Sequence, residues 1–284
     1  MSASNGQLAP APHVAIGTMP DPVRQAFLMS RYQFRDYLRA QRFILMLAIV
    51  AAILAILIAL VAHFRPPALI GSGNAFFGSL WVGGAEILLI FAGIIFGGDA
   101  IAGEFQNKTG YFLMGLPIKR WSVYAGKYLA AYAASLVTIL VYFVALVGAG
   151  FYFVGAGAIT VGLFESIALV ALYLAALLGT TFLFSSLFKQ SLYGVIIVAI
   201  MFLFGFSLIV GLIEGLVGTT PWYIITWANA VIAYPLTGVP AGAGVIVRNI
   251  ALLPTLAQGI AVMFGYFIFT TLGGLALFGR EEFT

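Results

Sequence analysis

Residues 97–127 read GGDAIAGEFQNKTGYFLMGLPIKRWSVYAGK and form the one long polar interruption between two strongly apolar runs. The chain has 13 basic and 9 acidic residues, and six of them lie here: Asp99, Glu104, Lys108, Lys119, Arg120 and Lys127. The middle of the stretch, 111–116, is amphipathic, and Pro117 ends it because proline cannot continue a helix without losing a hydrogen bond. This pattern predicts a short helix that lies across a membrane surface and offers apolar side chains to a partner.

The composition makes the lipid bilayer the solvent for most of the chain. Of 284 residues, 63% are hydrophobic and 8% are charged, and the mean hydropathy is +1.10. Soluble domains carry about 25% charged residues. In lipid the backbone must satisfy its own hydrogen bonds, which favours helices. The chain has no cysteine, which excludes disulfides, thiol catalysis and thiolate metal sites.

Six apolar runs are long enough to cross a hydrocarbon layer of about 30 Å. They cover residues 43–64, 75–98, 124–153, 163–188, 192–217 and 256–278. We therefore predict an all-α integral membrane protein with six transmembrane helices, whose permease domain covers residues 43–284.

The N-terminal region divides into two parts. Residues 1–21 are rich in Ala, Pro, Ser and Gly and predict a disordered or loosely held tail that is not a signal peptide. Residues 22–42 predict an amphipathic interfacial helix that begins at Pro22, with arginines on one face and phenylalanines beside them. The alternative is the ordinary basic flank of a first span. The predicted membrane-interface residues are Arg24, Arg31, Arg35, Arg39, Arg42, Phe27 and Phe34.

The distribution of Lys and Arg predicts the orientation. With the N-terminus inside, eleven basic residues lie on the inner side and two, Arg65 and Arg248, on the outer side. This predicts a multi-pass protein of the cell membrane with both termini and residues 97–127 in the cytoplasm.

Residues 218–255 are apolar but broken by four prolines and several glycines, and they hold aromatic residues typical of a membrane interface. We predict re-entrant extracellular helices between spans five and six. The alternative is a plain loop with an aromatic belt.

Two sets of polar residues fall within the apolar runs. Glu86 and Glu214 predict an outward part of a substrate path, because a carboxylate within a span should face protein or water. The alternative is local pairing or headgroup contact. On the third span a stripe at helical spacing predicts hydroxyls that bond to neighbouring helices, with a cavity lining as the alternative. It consists of Tyr124, Tyr128, Tyr132, Ser135, Thr138 and Tyr142.

Residues 97–127 resemble the loop between the second and third spans of prokaryotic type-2 ABC exporter permeases. The resemblance rests on the acidic positions Asp99 and Glu104, the turn 108–110, the step 116–118 with its basic pair, and the Gly-Lys that opens the next helix. The family's usual Gly-Thr order is reversed here at Thr109 and Gly110.

The resemblance implies that residues 103–117 are a coupling helix that docks on an ATP-binding-cassette ATPase subunit. It implies a second permease copy in a homodimer or heterodimer, ATP and Mg on the ATPase, and export of a hydrophobic or amphipathic substrate. It also adds Phe202, Phe206 and Ser207 to the substrate path. The implied ATPase-coupling residues are Gly103, Glu104, Phe105, Lys108, Thr109, Tyr111, Phe112, Leu113, Leu116, Pro117, Lys119 and Arg120.

No enzyme motif is present in the sequence. It lacks a G-x-x-x-x-G-K-[ST] phosphate loop and an H-E-x-x-H zinc motif, and His13 and His63 lie far apart. We expect no catalysis, metal or cofactor in this chain and no nucleic-acid partner. Two alternatives are an ATP-independent channel or secondary carrier that uses the intramembrane glutamates, and a membrane scaffold without transport.

Overall fold

A computed structural model describes residues 21–107, 118–240 and 253–280, and every regular element in these ranges is helical. The prediction of an all-α protein with six spans is confirmed. Six helices are long and apolar enough to cross a membrane: Gln41–Phe64, Gly73–Gln106, Arg120–Phe153, Val161–Ser186, Ser191–Val217 and Leu256–Arg280. Span two continues eight residues beyond its predicted end, into the polar stretch.

The N-terminal helix spans Pro22–Arg39, and its first residue is the proline expected at a helix start. Ala40 is extended, with φ −74° and ψ 147°, and the next helix begins at Gln41. The expectation of one helix over residues 22–42 is therefore wrong at its end. The break places Arg42 in the first span.

The N-terminal helix packs closely against the first turns of the third span. A Cβ atom on Gly126 would lie 2.7 Å from Met29 Cβ and 2.8 Å from the Ala26 carbonyl oxygen, so only glycine permits this approach. Ser122 Oγ donates a hydrogen bond to the Pro22 carbonyl at 2.9 Å. The helix is thereby fixed to the bundle along the face that lacks arginines.

The second span changes geometry as it reaches its polar end. Gly73–Ala92 is regular α-helix, Gly93–Gly97 is a π-helical turn, and Ala102–Gln106 is a short α-helix after a tight turn. A Cβ atom on Gly97 would lie 2.1 Å from Thr181 Oγ1, so the π turn packs directly on the fourth span. Such π turns are frequent at functional sites.

Three of the four stripe tyrosines bond to neighbouring helices, which confirms the packing interpretation for those three, whereas the Tyr124 hydroxyl has no hydrogen-bond partner among the described residues. Tyr128 and Tyr132 donate to carbonyls of the fourth span at 2.7 and 3.2 Å, and Tyr142 donates to the Leu80 carbonyl of the second span at 2.5 Å. Ser135 and Thr138 instead donate to carbonyls of their own helix.

Between the fifth and sixth spans, the described residues 218–240 include three short helical segments, Ile225–Ala228, Asn229–Ala233 and Tyr234–Thr237. Trp81 Nε1 donates to Ser166 Oγ at 3.0 Å, and that hydroxyl donates to the Ile232 carbonyl at 2.8 Å. These bonds hold the segments against the second and fourth spans, with Trp227 and Asn229 buried. Residues 241–252 of the predicted re-entrant segment lie outside the described residues.

We expect Gly126→Val to lower the free energy of unfolding by about 1–3 kcal/mol, because the added atoms overlap the N-terminal helix. Gly148→Val in the same span is the control, since a Cβ there meets nothing within 4 Å. Tryptophan fluorescence during denaturant unfolding of the purified protein measures both. Equal losses in the two variants would contradict this packing.

Candidate functional site

Polar side chains gather where the second span ends, at the same end of the bundle as the N-terminal helix. We call this the basic end, the opposite end the far end, and residues 99–106 the junction. The junction leads into the loop between spans two and three. Its side chains and amides bond or pack against each of the other five spans.

Asp99 connects the first, second and fifth spans. Arg42 of the first span donates two hydrogen bonds to its carboxylate, Nη1 to Oδ1 at 2.8 Å and Nη2 to Oδ2 at 2.7 Å. Ser191, the first residue of the fifth span, donates to Oδ2 at 3.2 Å. Asp99 is only 8% exposed, and such two-pronged charged pairs are strong. The expectation that Arg42 contacts lipid headgroups is corrected, since its guanidinium binds Asp99.

Glu104 connects the junction to the third span. Its carboxylate forms an ion pair with Lys127, which is 4% exposed and also donates to the Ala100 carbonyl at 3.3 Å. Glu104 therefore has a partner within the chain, whereas the resemblance implied a role in docking. The ion pair fixes the base of the loop to the third span.

Two uncharged side chains extend these connections. Ser185 Oγ of the fourth span accepts hydrogen bonds from the backbone N–H groups of Ile101 and Ala102, both at 3.1 Å. Gln106 Oε1 accepts from the backbone N–H of Ser191 at 2.8 Å. Both interactions satisfy amides at or near helix starts, which have no partner inside their own helix.

The sixth span is joined through aromatic and backbone contacts. Phe105 of the junction meets Phe278 edge-to-face with ring centres 6.5 Å apart. Arg120, which opens the third span, donates to the Gly279 carbonyl at 2.8 Å. The exposed Lys119 precedes it, and its backbone N–H donates to Gln25 Oε1 of the N-terminal helix at 3.4 Å. Both ends of the loop are thus fixed to the bundle.

Tyr37 lies directly behind this network. Its hydroxyl donates to the Phe96 carbonyl at 3.4 Å. Burial raises the pKa of the Tyr37 phenol, and the negative charge of Asp99 raises it further. The phenol therefore stays protonated and remains a donor at physiological pH.

The described part of the predicted coupling helix is its start. Gly103 and Phe105 lie in the short helix Ala102–Gln106, half-buried. The remaining predicted positions of the loop lie outside the described residues: Lys108, Thr109, Tyr111, Phe112, Leu113, Leu116 and Pro117.

The predicted interface residues of the N-terminal helix differ in exposure. Arg24, Arg31, Arg35 and Arg39 are exposed on the face away from the third span. Phe27 is exposed too, whereas Phe34 is half-buried against the core.

A cavity of about 500 Å³ lies beside the Arg42–Asp99 pair. Apolar side chains of the first, second and fifth spans line it together with Gln106 and Ser191. On the second span, a stripe of exposed and half-buried residues, which we call the open stripe, continues from this cavity toward the far end at helical spacing. It consists of Ile94, Ile90, Ile87, Glu86 and Gly83.

The predicted path residues fall into different surroundings. Glu86 is exposed on this stripe, and the side chain of Asn229 lies beside it. Phe202 is buried and packs on Phe206 with ring centres 5.0 Å apart, which is packing within the chain. Ser207 is exposed, and the Glu214 carboxylate has no hydrogen-bond partner among the residues that the structure describes.

Sequence analysis missed Asn229, Ser185 and Ser191 as functional residues. Ser191 carries the one available signal, since it immediately precedes an apolar run. The other two are ordinary polar residues within apolar segments, and only the fold brings them to Glu86 and the junction. Within residues 21–107, 118–240 and 253–280 no cluster of His, Asp and Glu is arranged to hold a metal ion.

A comparison with protein-family models identifies the family to which this chain belongs. Residues 29–280 match the family model described as ABC-2 family transporter protein, and the chain belongs to that family. The family supplies the membrane components of ABC transporters, which generally work with an ATP-binding-cassette subunit, and is not itself catalytic. A search of curated proteins gave no match.

Lys127→Met should lower the free energy of unfolding by about 3 kcal/mol, because it removes the buried cation that pairs with the Glu104 carboxylate. Adding Glu104→Gln to the same chain should recover most of that loss, since the carboxylate charge that Lys127 balanced is then removed as well. Thermal unfolding of the two purified variants beside the parent measures both effects. A double variant as unstable as Lys127→Met would contradict the ion pair's assigned role.

Proposed function

We propose that the chain is the permease subunit of an ATP-driven exporter of a hydrophobic or amphipathic substrate, with ATP hydrolysed by a separate subunit. The observation that carries the proposal is the junction, which is bonded to or packed on all five other spans. A displacement of the adjoining loop therefore reaches the whole bundle. Rigid-body motion of packed helices is a common form of such switching.

The proposed orientation puts the basic end in the cytoplasm, with both termini, and the protein in the cell membrane. The excess of Lys and Arg at this end supports it. Four exposed arginines of the N-terminal helix, Arg24, Arg31, Arg35 and Arg39, are suited to anionic headgroups.

The proposed ATPase contact is the loop over residues 103–117, whose apolar side chains supply the docking area. ATP and Mg belong to the partner. Since Glu104 is paired with Lys127, we assign the orienting charge of the contact to the exposed Lys119. Arg120 contributes mainly by holding the sixth span.

A second permease copy, the same chain or a related one, is proposed to cover the open stripe of the second span. The stripe carries the Glu86 carboxylate, which lies in a span and is exposed in the single chain. A carboxylate at the centre of a lipid-facing helix costs about 2.5–3.5 kcal/mol on insertion scales. A partner copy would enclose the stripe as a path between two permeases.

Photo-crosslinking tests the ATPase contact. Phe112 is replaced by p-benzoylphenylalanine in the full chain, expressed in its own cells, and adducts formed on irradiation are identified by mass spectrometry. We expect an adduct with an ATP-binding-cassette ATPase. The same replacement at Tyr152, which is 81% exposed at the far end of the third span, should give none.

Two results would contradict the proposal. One is the absence of an ATPase adduct from position 112 when the chain is correctly inserted. The other is transport by the purified chain alone under an ion gradient, which would favour a channel or secondary carrier that uses the intramembrane glutamates.

A further inference from the structure

Glu86 lies near the middle of the second span, far from the charged side chains at the ends of the bundle. It is the thirteenth residue after Gly73 at the start of the second span and the thirteenth before Asp99 at the junction, about 20 Å from each at 1.5 Å per residue. Ile87 and Ile90 continue its face of the helix. Gly83, one turn away, leaves open space beside the carboxylate, since a Cβ there would meet nothing within 4 Å.

No described cation neutralises this charge. The ion pairs among the residues that the structure describes are Arg42–Asp99 and Glu104–Lys127, both at the basic end. The side chain of Asn229, which is uncharged, lies beside Glu86. The described residues thus give the carboxylate an amide neighbour and no cation, and one side of it is open.

Asn229 gives an independent sign that the site is incomplete. It is 6% exposed, yet its Oδ1 atom has no hydrogen-bond partner among the described residues. A buried carbonyl oxygen without a donor is unfavourable, because it has lost its hydrogen bonds to water. The amide oxygen and the Glu86 carboxylate are both acceptors, so the group that completes the site is a donor or a cation.

We propose that Glu86 and Asn229 bind the positively charged group of a hydrophobic substrate, an organic cation such as an ammonium or phosphonium compound. The isoleucines of the stripe supply apolar contact for the rest of such a molecule. A bare metal ion fits poorly, because Ca²⁺ takes six to eight oxygen ligands and the two side chains offer three. The inference rests on the proposed transport path and names the substrate class for it.

Equilibrium binding of tetraphenylphosphonium to the purified full chain in lipid nanodiscs tests the inference without any ATPase. Tetraphenylborate, which has nearly the same shape and the opposite charge, is the ligand control. We expect the cation to bind the parent chain at least about tenfold more tightly than the anion, since one tenfold step corresponds to about 1.4 kcal/mol.

Variants locate the site. Glu86→Gln keeps the shape of the side chain and should weaken tetraphenylphosphonium binding about tenfold, and Asn229→Ala should weaken it by a smaller factor. Glu165→Gln removes a different, exposed carboxylate of the fourth span and should leave binding within about twofold of the parent, because an exposed charge that far along another helix is screened.

Three outcomes would overturn the inference: no binding of the cation by the parent chain, equal binding of the cation and the anion, or unchanged binding in Glu86→Gln with the fold intact. A carboxylate that serves only to hold a proton would give the first of these. If one of these outcomes occurs together with an ATPase adduct at position 112, only the proposed substrate class is wrong. The proposed function as an ATP-driven permease is then still supported.

Discussion

The structure depends on two carboxylates, Asp99 and Glu104, that are largely shielded from water at the basic end of the helical bundle. Asp99 and Glu104 each meet a basic side chain from another span, and the neighbouring backbone amides are bonded to Ser185. Moving a charge out of water costs several kcal/mol, which is offset only when geometry and hydrogen bonds are complete. The helices that supply these partners are therefore held in one arrangement.

That constraint explains why the second span has an irregular end. The tight turn after the π turn frees the backbone N–H groups of Ile101 and Ala102 to bond Ser185 of the fourth span, whereas in a continuous helix these groups would bond within the helix. The same stretch closes the cavity beside Arg42 and begins the open stripe that leads to Glu86. The loop between the second and third spans and the proposed substrate path thus both begin at the junction.

Hydropathy was sufficient to predict the six spans, because in lipid the length and polarity of a run decide whether it crosses. Helical periodicity also predicted that the tyrosines of the third span meet neighbouring helices. Periodicity wrongly placed Arg42 at the membrane interface, because it treats residues 22–42 as one continuous helix. In the structure the extended residue Ala40 separates that helix from a new one. The pairing of Glu104 with Lys127 and the approach of Asn229 to Glu86 join residues far apart in sequence, and only packing decides such contacts.

We propose that the junction transmits nucleotide-driven motion to the substrate path. A spin label at Gly83→Cys, in a chain with no other cysteine and at a position with free space, reports on the surroundings of Glu86. The measurement is its electron paramagnetic resonance spectrum in the permease–ATPase complex before and after ATP binding. We expect a change in label mobility that is lost when Asp99→Asn breaks the junction while ATP still binds. An equal change in both complexes would contradict it.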